Sequence, residues 1–149
     1  MIESVRLESI LAELAPAEVA DEYDQPGYLS KPPEILERIG VCVDPTAQNL
    51  HSALETGVQV LITHHKWGGE ASEFAESGLG IYHLHSAWNR AAEGNAVTLA
   101  GLLNLDNLDK SDNDAIMGET AISLKEMLGC CQRILETQIT PYIGDLQAE

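Results

Sequence analysis

Between residues 39 and 85 the chain alternates short apolar runs with short helical patterns, and this stretch constrains the fold more than any other. IGVCVD (39–44) is apolar and β-branched, VQVLIT (58–63) repeats that character, and LGIYHLH (79–85) supplies a third such run. Between the first two, Asp44-Pro45-Thr46 marks a helix start with proline entering the first turn. Leu50, Ala53 and Leu54 then form an inner stripe, and Gly57 is a stop. Between the second and third, 72–77 reads as a short helix stopped by Gly78. Strand, helix, strand, helix, strand with such short connections predicts right-handed crossovers and an α/β fold with a mainly parallel sheet. A ligand site in such a sheet lies beyond the carboxyl ends of its strands.

The flanks are less regular. Val5, Leu7, Ile10, Leu11 and Leu14 sit near helical spacing ahead of Pro16, which predicts an amphipathic helix over 4–15 followed by a second short helix. DQPGYLSKPP (24–33), with three prolines and a glycine, reads as loop. Further on, a helix is expected over 95–103, a polar loop over 104–114, a helix over 123–128 stopped by Gly129, and a last strand over 133–140. No repeat or low-complexity tract is visible, and 149 residues make a single domain over 1–149.

Charge narrows the partners. With 24 acidic against 8 basic residues the net charge is -16, which repels phosphate backbones and anionic lipid and makes a cation the better partner. No nucleic-acid or membrane partner is therefore expected. The N-terminus has no apolar run of signal-peptide length and no stretch is long enough to span a bilayer, so the expected location is the cytoplasm. Cys42, Cys130 and Cys131 are then expected as reduced thiols. No phosphate-binding glycine loop, nucleophile elbow or serine triad is present, and Cys42, inside a strand, lacks the electropositive surroundings that would ionise it.

Chemistry concentrates in histidine. His64, His65, His83 and His85 fall within 22 residues, at the carboxyl ends of two predicted parallel strands. Neutral imidazole is a common ligand of zinc, iron and related metals. Adjacent strand residues point to opposite faces, so His64 and His65 can meet only if the strand has already turned, as Gly68-Gly69 allows. His83 and His85, two apart, share a face. His51 belongs to the solvent side of its helix, Trp67 either walls the site or packs, and Asp44 reads first as a helix cap and second as a site residue.

These residues, in this order, resemble the Nif-three-like dinuclear metal-centre proteins, some of which act as type 2 GTP cyclohydrolase I. LAELAP with YDQPGYL (23–29) is similar to the family's opening helix and its Trp-Asp-Asn-x-Gly-Leu stretch. VCVDPT (41–46) is similar to its first-strand motif, LITHHKW (61–67) to its Ile-Thr-His-His-Pro motif, IYHLHSAWN (81–89) to its His-Thr-Asn-Leu-Asp motif, and GETAISLKEML (118–128) to the segment that follows. The resemblance implies a three-layer α/β fold, the family's N-terminal lobe, with a pair of metal ions and assembly into a ring, commonly a hexamer. By position it makes His64, His65 and His85 metal ligands, whereas His83 is an addition of this sequence. Asn89 stands where the family has a bridging aspartate, and an amide lacks the charge that holds two cations together. The family's late His-x-x-x-Glu pair has no counterpart in 1–149, so the chain reads as a shortened member.

Two functions follow from different classes. One is a metal-binding or assembly module with a degenerate site holding zinc, iron or manganese, one ion or two, and little or no catalysis. The other is a divalent-metal-dependent hydrolase of a nucleotide-like or heterocyclic substrate, completed by a homo-oligomer or by a partner chain bearing the missing ligands. Neither a guanine-reading carboxylate nor a triphosphate-binding basic cluster can be picked out.

Overall fold

In the computed structural model, residues 1–66, 77–110 and 115–138 are described. The chain divides into two compact units, Met1–Gly94 and Asn95–Glu149. The first begins with β1 (Ile2–Glu3) and α1 (Ser4–Leu14), then a single 3-10 turn at Ala17–Val19, β2 (Gly27–Ser30), β3 (Ile35–Leu36), β4 (Ile39–Cys42), α2 (Ala47–Glu55), β5 (Val60–Thr63), β6 (Gly80–His83) and α3 (Ser86–Arg90). β1 pairs with β3 in a small antiparallel ladder. The central sheet has the order β2-β6-β5-β4: β4, β5 and β6 run parallel, and β2 is antiparallel to β6.

Strand alternation makes three layers. Val60 and Tyr82 face α1, where Leu7, Leu11 and Ala15 close one core with Leu36, while Leu61 and Ile81 face α2 and pack with Leu50, Ala53 and Leu79 in the other. Val5, two positions from Leu7 and so on the opposite side of α1, is exposed, as is Leu54 beside the buried Leu50 and Ala53. The parallel strands come from the three runs whose pattern predicted them. Segment 24–33 differs from its reading as loop: Gly27–Ser30 forms the antiparallel edge strand. The unpaired side of β6 attracts it, Tyr28 packs edge-on against Tyr82 at 4.9 Å, and the Ser30 hydroxyl donates to the Leu79 carbonyl. Proline on both sides suits only an edge.

The second unit contains α4 (Asn95–Leu102), β7 (Asp106–Asp109), β8 (Met117–Glu119) and α5 (Leu124–Ile134). β7 lies within the predicted polar loop and pairs antiparallel with β8, with Asn107 at φ 50° beside a register shift. α5 runs through Gly129 instead of stopping there. A reciprocal cap between Ser123 and Glu126 starts it, and an internal glycine costs only about 1 kcal/mol relative to alanine. Arg133 and Ile134 are consequently helical, not the start of a strand; residues 72–76 of the expected helix, Trp67 and the strand segment from 139 lie outside the described residues. All three cysteines are free thiols, and among the described residues no helix is long and apolar enough to cross a membrane.

Gly80 is where the sheet has no room. A Cβ there would fall 2.5 Å from Pro32 Cβ and 2.9 Å from its Cα and N, and backbone atoms cannot swing aside. Gly80→Ala should lower stability by about 1–3 kcal/mol in urea unfolding. Gly101→Ala, inside α4 with nothing among the described residues within 4 Å of the added carbon, should be neutral or stabilising.

Candidate metal centre

β5 ends at Thr63 and β6 at His83, but the parallel hydrogen bonding continues past both ends. His64 N donates to Cys42 O at 3.1 Å, His65 N to Val43 O at 2.8 Å, and Leu84 N to Thr63 O at 3.0 Å. The strand register sets Cys42 beside Thr63 and Thr63 beside His83, so Asp44, His65 and His85 each follow two residues after the end of three neighbouring strands. The chain bends at His64 and His65, which releases these neighbours from strict alternation. Their rings meet. Centroids are 4.7 Å apart for His64 and His85, 5.1 Å for His64 and His65, and 5.5 Å for His65 and His85. Each of the three offers a ring nitrogen, and these atoms lie within 4.8 Å of one another.

The electrostatics suit neutral ligands. Burial, with His85 and His65 beside it, lowers the His64 pKa, against a smaller opposing effect of its hydrogen bond to the Leu84 backbone. His65 Nδ1 lies 2.6 Å from Asp44 Oδ1. Asp44 is not the helix cap it first reads as: Thr46 caps α2, its hydroxyl accepting from Asn49 N at 3.2 Å.

His83 lies behind this trio. Its ring stacks at 18° on that of His85, centroids 6.3 Å apart, and its Nε2 is 2.7 Å from Asp24 Oδ1. The side chains of both partners are buried. Among the described residues His83 Nδ1 and Thr63 Oγ1 are buried without a hydrogen-bond partner. Asp24 Oδ2 accepts from the Ser86 amide at 2.7 Å and from the Ser86 hydroxyl, and stands 3.9 Å from His85 Nδ1. Burial works against the Asp24 charge, but the hydrogen bonds from Ser86 and His83 outweigh it and hold its pKa below the ordinary carboxylate range. Sequence reasoning left Asp24 inside a loop; the signal for it was only the tyrosine-aspartate pair of the resemblance. Asn89, exposed on α3, stands one helical turn beyond His85, its backbone N–H donating to the His85 carbonyl at 3.0 Å. His51 faces solvent, 3.2 Å from Glu55.

Three converging imidazoles at the carboxyl end of a mainly parallel sheet define an α/β protein with a candidate metal site, and the donor set fits a transition metal. The chain belongs to the Duf34/NIF3 (NGG1p interacting factor 3) family, which it matches over residues 2–149. Its fold is similar to that of reduced HcgD from Methanocaldococcus jannaschii, with 21% identity, a TM-score of 0.78, and coverage of 89% of this chain and 60% of that one. TTHA1606 from Thermus thermophilus is similar at 20% identity and a TM-score of 0.78, covering 92% and 63%. Protein ybgI, of unknown function, is similar at 18% identity and 0.76, covering 91% and 61%. The chain thus spans about three fifths of the length of these structures. No protein of curated function matches it.

Asp24 is the buried charge on which the rear of the site rests. Asp24→Asn puts an amide donor among groups that all donate, and should cost about 1–3 kcal/mol in urea unfolding at neutral pH. The lowered carboxyl stabilises the fold fully above its unfolded pKa, and that contribution is lost as pH falls through the folded value. The gap between the two proteins should therefore close in acid.

Proposed function

We propose that this chain is a metal-binding module of the Duf34/NIF3 family, holding a divalent ion at His64, His65 and His85 with little or no catalysis of its own. The observation that carries the reading is the convergence of three ring nitrogens within 4.8 Å. Imidazole donors suit zinc or iron better than manganese, which favours oxygen. When bound, such an ion supplies Lewis acidity. His64, His65 and His85 would hold it, Asn89 adds only a neutral amide where the resemblance implies a bridging carboxylate, and His83 with Asp24 supports the trio from behind. One ion is favoured over two on that account.

A divalent-metal-dependent hydrolase acting on a nucleotide-like or heterocyclic substrate is the second reading. It is favoured by the side-chain exposure of His65 and His85, 50% and 39%, which leaves the trio open to solvent. Its further ligands would come from a second copy or a partner chain. Self-association belongs to both readings, and Val41 on the edge strand β4 and Val43 just after it are exposed apolar surface that assembly would cover.

Protein purified without chelator or nickel should carry about one zinc or iron per chain by elemental analysis, and metal-free protein should take up zinc with the same stoichiometry. His65→Ala should weaken zinc binding at least tenfold, more than about the least cost of losing an outer partner. Asn89→Asp should tighten it and raise stoichiometry toward two. An isotherm unchanged in both variants rejects the metal reading, and sedimentation at moderate salt showing only the 16.1 kDa species rejects self-association.

A further inference from the structure

His65 can present either ring nitrogen to a metal, and the tautomer it adopts decides which. Asp44 follows the end of β4, the parallel neighbour of β5, and its Oδ1 lies 2.6 Å from His65 Nδ1. The carboxylate has no competing duty at the helix start. Thr46 supplies the cap, and the Asp44 backbone is pinned separately, its carbonyl accepting from Thr46 N at 2.9 Å and Asn49 Nδ2 at 2.8 Å. Among the three rings His65 thus has one nitrogen engaged by a side-chain acceptor, Asp44. Histidines that bind metals commonly donate one ring N–H to such an acceptor, which fixes ring orientation and raises the basicity of the other nitrogen.

We propose that Asp44 is the positioning residue of this site: its carboxylate accepts a hydrogen bond from His65 Nδ1–H, fixes that tautomer, and leaves Nε2 for the metal. The proposal deepens the metal-binding reading and rests on it. Asp44 touches the metal only through His65. Its carboxylate also places a negative charge beside the trio, and the two effects are separable, because Asp44→Asn keeps an acceptor oxygen and loses the charge while Asp44→Ala loses both.

The test uses the whole chain, labelled with 15N at histidine. In metal-free protein at mildly alkaline pH, long-range 1H–15N spectra should show His65 protonated at Nδ1. Asp44→Ala should shift it toward Nε2 protonation, and Asp44→Asn should retain Nδ1 protonation at least in part. Zinc affinity, read by competition with a chromophoric chelator, should fall about 10–100-fold in Asp44→Ala and recover in Asp44→Asn. Folding is not at stake, since the side chain is 61% exposed and the cap lies elsewhere. Zinc bound equally by wild type and Asp44→Ala, or His65 protonated at Nε2 in the wild type, overturns the proposal. Equal losses in Asp44→Asn and Asp44→Ala overturn it in favour of charge alone. Zinc bound by none of the proteins overturns the metal reading itself and this proposal with it, a result distinguishable because the tautomer is read without metal.

Discussion

The parallel register of β4, β5 and β6 is the constraint on which the site depends. It brings Cys42, Thr63 and His83 abreast at the strand ends, just short of Asp44, His65 and His85, and backbone hydrogen bonds from His64, His65 and Leu84 continue past those ends. A slip of one residue would turn every side chain of a strand to the other face. The strands would then lose both cores, because Val60 with Tyr82 and Leu61 with Ile81 serve opposite helices. Burial of these apolar residues thus holds the histidines in place, though none of the trio belongs to a core.

Behind the trio, polar groups do what apolar packing cannot. Asp24, arriving from the segment before the edge strand, joins His83 at the end of β6 to Ser86 at the start of α3. A buried charge is costly unless paired, and here each carboxylate oxygen meets a donor. The pairing ties the first turn of α3, and with it the peptide that follows His85, to a segment some 60 positions earlier. The Thr63 hydroxyl and His83 Nδ1, buried without a hydrogen-bond partner among the described residues, belong to residues paired in register. A buried water is the usual means of satisfying such atoms.

The chain's charge acts at longer range. At -16, cations are drawn toward the whole surface, while the trio itself consists of imidazoles with carboxylates on two sides. General acidity concentrates a cation; directional imidazoles select a transition metal over the calcium or magnesium that carboxylates alone would favour.

The sequence by itself determined the α/β class, the three parallel strands, the helices α1 and α2 that cover them, and the histidine pairs at the carboxyl ends. All of these follow from local periodicity and turn chemistry, in which neighbours along the chain decide. Only the tertiary structure decided that 27–30 would be an edge strand, since the attraction of an open strand edge and of Tyr82 is invisible from a proline-rich segment. Gly129 could not reveal that α5 continues through it, because glycine permits a helix as well as a stop. Asp44 and Asp24 carry the same lesson. Aspartate before Pro-Thr is a good cap on local grounds, and aspartate amid prolines is a good loop residue. Their partners, His65 and His83, lie 21 and 59 positions away, and such distances close only when the strands align.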